Sequence, residues 1–277
     1  MLHHTQGKGL CTGVFSICAI LCYIVCFKLT RERVEVPASS QKVSASAIFK
    51  SIFTNRALLG IIVAAIFVLL SQLTVMSLAG YVYPNVYGSA AAQSTASLLG
   101  TVVMLIVCAP FASKLAAKFG KKELAVASSI CSALVWLVCL IWRPASVWGF
   151  VACYILANVG MGFFNTIIWA MITDVIDDAE VRSGIREDGT IYSVYSFARK
   201  LGQAFSSGLV GALLGIIGYT EATAFDPAVT RGIFNMACIA PIIGFVCIVL
   251  ALVFLYPLNK KKVEENVAAL AARRNSK

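Results

Sequence analysis

With 277 residues, 59% of them hydrophobic and only 13% charged, this chain is too apolar for an ordinary soluble domain. Its mean hydropathy of +0.85 agrees; the class implied is an all-α polytopic membrane protein. The net charge of +10 does not call for nucleic acid, because lysines and arginines gather in loops on one side of a bilayer.

A spanning helix needs about 20 apolar residues. Runs of that kind occupy Leu10–Phe27, Ala57–Tyr83, Ala92–Ser113, Leu124–Trp142, Val147–Thr173, Ile191–Tyr219 and Ile233–Tyr256. The first lacks a basic leader and a small-x-small cleavage site, and KLTRER follows it, so it reads as a spanning helix rather than a signal peptide. Residues 28–56 form the longest break in the chain and read as a cytoplasmic linker between two bundles. Residues 57–256 then form a complete six-helix unit. Residues 1–27 resemble an outside leader and the last helix of a preceding, missing half, and residues 257–277 a cytoplasmic tail.

Basic residues set the expected orientation. Lys28, Arg31, Arg33, Lys42, Lys50 and Arg56 lie in the linker, Lys114, Lys118, Lys121 and Lys122 in KLAAKFGKKE, and Lys260, Lys261 and Lys262 in the tail. Alternation places these segments, the acidic stretch after Thr173 and the C-terminus in the cytoplasm, with the N-terminus outside. The expected location is the cell's inner (plasma) membrane. The tail around 259–272 is an amphipathic helix candidate, read as a solvated cap with a membrane-surface anchor as the alternative.

Ten cysteines all fall in apolar runs. They read as small hydrophobes; Cys18, Cys22 and Cys26 share a helix face, but no histidine or carboxylate accompanies them to complete a metal site. No cofactor is expected. Gly208, Gly211, Gly215 and Gly218 suggest a close-packing helix surface. Asn158, Gly160, Gly162 and Asn165 place amides and glycines at membrane depth, where the backbone can loosen and side chains can line a cavity.

Two positions fall near the bilayer midplane. Asn165 lies roughly 12 Å from the inner end of its run and Lys200 roughly 13 Å from the start of its own, at 1.5 Å per residue. On that second run Tyr192, Ser196, Lys200, Gln203 and Ser207 share one face, opposite an apolar one that includes Leu201 and Phe205. An intramembrane lysine marks function by default, with snorkelling or a buried salt bridge as the structural alternative. Between the two runs lies DVIDDAEVRSGIREDG, a dense polar stretch read as a loop.

ITDVIDDAEVRSGIREDGTIYSVYSFARKLGQA resembles the loop and following helix near the C-terminus of glycoside–pentoside–hexuronide:cation symporters, the melibiose-permease-like branch of the major facilitator superfamily. The family's acidic segment, its Gly-x-Arg step and its helix with a central lysine correspond to Asp174, Asp177, Glu180, Gly184, Arg186, Glu187, Gly189 and Lys200, with Asp178 where the family has an aromatic. The resemblance implies a C-terminal six-helix half of a major-facilitator fold plus one preceding helix. It also implies alternating-access symport of a glycoside, pentoside or hexuronide with Na⁺ or H⁺. It implies sugar contacts at Asn165, Tyr195, Ser196 and Lys200, and a conformational motif loop at Asp174, Asp177, Glu180, Gly184, Arg186 and Glu187. The family's cation-binding carboxylates lie on N-terminal helices, and no apolar run here carries Asp or Glu. The coupling cation is therefore expected in the missing N-terminal half, which is itself an expected partner alongside the sugar and the bilayer.

Two other readings compete. Asp174, Asp177 and Asp178 resemble half of the aspartate-rich Mg²⁺ site of a membrane prenyltransferase, but such a site needs a second cluster. The other reading is a non-transporting membrane fragment with a structural role. The carrier reading makes the chain no enzyme.

Overall fold

The structure is a computed structural model describing residues 2–29, 55–186 and 188–275, all helix, turn or irregular coil. It divides into two units, Met1–Ser44 and Ala45–Lys277. In the first, helix α1 spans Leu2–Leu29, and its side chains from Gly13 onward are exposed. Most of the expected linker lies outside the described residues, as does Glu187.

The second unit begins with α2 (Arg56–Tyr81), which Asn55 caps by accepting from the Ala57 and Leu58 amides. A π-helical turn at Val82–Val86 continues α2 to a glycine-bearing bend. Then come α3 (Ala90–Phe119), α4 (Lys121–Trp142), α5 (Val147–Ser183), α6 (Asp188–Ile216) and α7 (Pro227–Leu250), the last extended by a π-helical turn at Ala251–Leu255. The tail forms α8 (Lys260–Asn275).

By length and composition, five helices among the described residues can cross a membrane: α2, α3, α4, α5 and α7. Seven runs looked long enough in the sequence. Helix α6 is long enough but carries Asp188, Arg199 and Lys200 besides its hydroxyls, and the apolar part of α1, Gly13–Leu29, is shorter. The polar content of α6 is the property that makes it interesting.

Helix α2 packs along α6 and α7, α4 along α5 and α7, and α3 along α5. Small residues permit these approaches. A side chain at Gly202 of α6 would run into the Ile66 backbone oxygen of α2, and one at Gly160 into Ser132 and the Ser128 carbonyl of α4. One at Gly162 would meet Met104 and Cys108 of α3. The glycines of α5 thus serve close helix packing rather than loosening its backbone, since α5 is unbroken from Val147 to Ser183. The expected glycine surface of α6 makes no close contact among the described residues: none lies within 4 Å of a side chain placed at Gly208, Gly211 or Gly215.

Aromatic contacts knit the end of the unit holding the α2–α3 and α4–α5 connections, with Tyr83 edge-on to Phe150 at 5.5 Å between ring centroids and Phe150 tilted against Phe234 at 5.9 Å. Cys139, Cys153 and Cys238 are buried among the core residues there, on α4, α5 and α7.

Candidate functional site

The acidic stretch is mostly helix. Helix α5 runs on as far as Ser183, carrying Asp174, Asp177, Asp178 and Glu180, and ends at Gly184 in a left-handed cap (φ 76°). Only Gly184 and Arg186 of the expected motif loop lie in a described connection. The sequence looks like a loop because its charges are dense; each described one is matched, and Ala179, Glu180 and Arg182 are sound helix formers.

The matching is specific. Asp174, nearly buried, meets Lys121 of α4 at 2.6 Å. Asp178, buried, pairs with Arg182 at 2.8 Å and accepts from the Asn266 amide of α8 at 3.0 Å. Arg186 reaches Glu180 (2.8 Å), Asp177 (3.0 Å) and Asp188 (2.9 Å), tying the end of α5 to the start of α6. Glu180 foremost, then Asp177 and Asp188, raise the Arg186 guanidinium above its ordinary range. Arg273 of α8 donates to the carbonyls of Glu180 and Val181, satisfying acceptors left open by the end of α5. The tail therefore docks on α5, with Asn266 and Leu270 buried, instead of standing as a fully solvated cap. Asp174, Asp177 and Asp178, the trio that resembles half of a magnesium site, each face a protein cation.

The second feature lies between α5 and α6, which touch each other little although consecutive, while α2 touches both. Asn165 of α5 donates toward Gln72 of α2 at 3.5 Å. One turn further, Trp169 is 48% exposed and stands edge-on to Tyr195 of α6, centroids 5.5 Å apart. Arg199 lies over both rings, its guanidinium carbon 5.4 Å from the Trp169 centroid and 5.8 Å from that of Tyr195. It donates to the Tyr195 hydroxyl at 3.3 Å.

Of the four expected sugar contacts, the structure places Tyr195 in this cluster, while Asn165, one turn before Trp169, meets Gln72 of α2. Tyr195 is wholly buried and reaches the open face only through Arg199. Ser196 and Lys200 lie on the exposed face of α6, where the Lys200 ammonium donates to Gln203 at 3.2 Å. Ser196 falls about 100° around the helix from Tyr195 and 40° from Lys200, so the polar stripe is one continuous exposed face beside the aromatic cluster. Neither Arg199 nor Lys200 has a carboxylate within ion-pair distance among the described residues.

Two members escaped the sequence reading. Gln72 is an amide in an otherwise apolar run, the same signal that singled out Asn158 and Asn165. Arg199 carries no assignable role in the sequence, because its partner Trp169 lies thirty positions earlier on another helix.

The arrangement sets the charges of α6 beside amides of α5 and α2. A family profile described as MFS/sugar transport protein matches residues 3–260. The chain belongs to the MFS/sugar transport protein family. It is similar to the glucuronide carrier protein homolog of Escherichia coli (strain K12), with 27% identity over 95% of this chain and 57% of that protein. It is also similar to the uncharacterized symporter YjmB of Bacillus subtilis (strain 168), 28% identical over 92% of this chain and 56% of the relative. A provisionally named sulfoquinovose importer of Salmonella typhimurium is 27% identical over 98% of this chain and 57% of the relative. The chain therefore spans a little over half the length of the relatives it matches. Family and helices together make this a multi-pass membrane protein.

Proposed function

We propose that this family member forms the C-terminal part of a cation-coupled sugar carrier that works by alternating access. In this reading the sugar lies against the open face of α5 and α6. Lys200, Ser196 and Asn165 contact it. The observation that carries the reading is the continuous polar face of α6, charged at Lys200 and exposed within the six-helix unit. Hydrocarbon is a poor solvent for such a face, whereas a water-filled path and a polyhydroxylated ligand both satisfy it.

The coupling cation, Na⁺ or H⁺, binds in this account on carboxylates outside the apolar segments of this chain, for which those segments offer no Asp or Glu. The ion-paired rim formed by Asp174, Asp177, Glu180, Gly184 and Arg186 is the conformational joint between α5 and α6. It faces the cytoplasm, as does the C-terminus, in the inner membrane of the cell.

Ligand protection tests the assignment. With Ser196→Cys, a small water-soluble maleimide is expected to label the position in membranes of the native host, and saturating transported sugar to slow the labelling several-fold. A control cysteine at Ile243, exposed on α7, stays indifferent to sugar. Failure of Ser196→Cys to label from water would remove the face from any pathway.

A further inference from the structure

The proposed site leaves one group unused, and it is the most costly one to place there. On the carrier reading, in which α6 crosses the bilayer, Arg199 sits about 17 Å along it from Asp188, at 1.5 Å per residue. It is half-buried. A guanidinium presents five N–H donors and never loses its charge. One of these donors is used, by the Tyr195 hydroxyl. The three helices around it supply no anion: α2 has no Asp or Glu, α5 has none before Asp174, and α6 has none after Asp188.

A half-buried cation without a counter-charge is expensive at membrane depth, so its retention asks for an anion that arrives from elsewhere. The aromatic setting says how it is presented. Trp169 and Tyr195 hold the guanidinium by cation–π contact at 5.4 and 5.8 Å, which leaves N–H donors for an anion. In-plane donors in a fixed fork match an oxyanion with two equivalent oxygens. Trp169, 48% exposed, offers part of its ring to the apolar face of the same ligand. Lys200, next in sequence but about 100° around the helix, adds positive potential on the neighbouring surface.

We infer that Arg199 is a specificity-determining residue selecting sugars that carry a carboxylate or sulfonate. This rests on the sugar-carrier reading and narrows its substrate class. Tyr195 and Trp169 are its positioning residues; Asn165 and Gln72, linked at 3.5 Å, offer neutral hydrogen-bonding capacity for hydroxyls one turn away.

The test is uptake of three radiolabelled sugars by membrane vesicles from the native host: methyl glucuronide, methyl sulfoquinovoside and neutral methyl glucoside. Vesicles lacking the gene give the background. In the wild type at least one anionic sugar is expected to enter about 10-fold or more faster than the neutral one, and the two anionic arms tell carboxylate from sulfonate. Arg199→Gln is expected to slow that anionic sugar by about 10- to 100-fold, the value of a charge-assisted hydrogen-bond pair, and to leave the neutral sugar within about two-fold. Arg199→Lys keeps the charge without the fork and recovers only part of the rate.

Preferential entry of the neutral sugar overturns the inference while leaving the carrier reading intact. So does an equal loss of all three sugars in Arg199→Gln, which makes Arg199 a structural cation paired with a carboxylate outside this chain. Entry of none of the three in wild type overturns both readings.

Discussion

Lys200→Ala is expected to lower gradient-driven sugar accumulation by more than about ten-fold without lowering the amount of protein in the membrane. The magnitude follows from losing a charged hydrogen-bonding group that the bound sugar would cover. The Lys200 ammonium has a single side-chain partner, Gln203, at 3.2 Å, and lies on the exposed face of α6 with Ser196. In the proposed cycle it pairs with sugar hydroxyls or with a carboxylate beyond this chain, and cation binding to that carboxylate releases it. Lys200→Arg should recover little, because a planar guanidinium does not replace a compact point charge. The check is radiolabelled uptake with an imposed ion gradient, with protein level measured by immunoblot. Accumulation as in wild type would make Lys200 a structural residue whose ammonium reaches the interface.

Arg186→Ala is expected to damage transport nearly as strongly by a different route. One guanidinium holds Glu180, Asp177 and Asp188 at 2.8, 3.0 and 2.9 Å. Removing it leaves three carboxylates crowded at the joint of α5 and α6, where they repel one another. Each surface pair alone is worth at most about 1 kcal/mol. Arg186 is more than a third exposed, so we expect a stability loss of only about 1–2 kcal/mol after solvent screening. The larger effect falls on conformational change, because the joint fixes how the proposed site helices meet: uptake is expected to drop about ten-fold, by analogy with losing a charged hydrogen-bond cluster. Arg186→Lys offers one point instead of a fork and should rescue only partly. The carboxylates raise the Arg186 guanidinium above its ordinary range. Its stabilisation is thus fully present at every pH below the unfolded value, and neutral-range pH changes leave the arginine side of the network unaltered. Wild-type uptake in Arg186→Ala, at equal protein level, would exclude the joint from the transport cycle.

The sequence carried the helical class and the polar face of α6 well, since spacing at i, i+4 and i+8 is a local signal that tertiary contacts did not override. It carried the rim poorly. Asp174–Arg182 reads as a loop because charge density imitates one; the helix persists because Lys121 and Asn266, distant in sequence, and Arg186, just past its end, neutralise or satisfy its acids. The α6 glycines show the opposite limit. Their spacing signals that a close approach is permitted, yet the approach actually made is at Gly202, with Ile66 of α2. At the candidate site, Lys200 and Asn165 stood out as polar groups in apolar runs. Arg199 gained its meaning only when folding laid it over Trp169 and Tyr195, a relation between helices that no spacing within one helix encodes.

The central claim is that this family member serves ion-driven sugar transport through the α5–α6 face. Its most direct test compares right-side-out vesicles of the native host with and without the gene, loaded against an inward Na⁺ or H⁺ gradient and given a labelled hexuronide, sulfonated sugar or neutral glycoside. The account predicts gene-dependent accumulation above the outside concentration for at least one sugar, collapsing when the gradient is dissipated. Identical uptake in the two vesicle populations, under both gradients and for all three sugars, would contradict it.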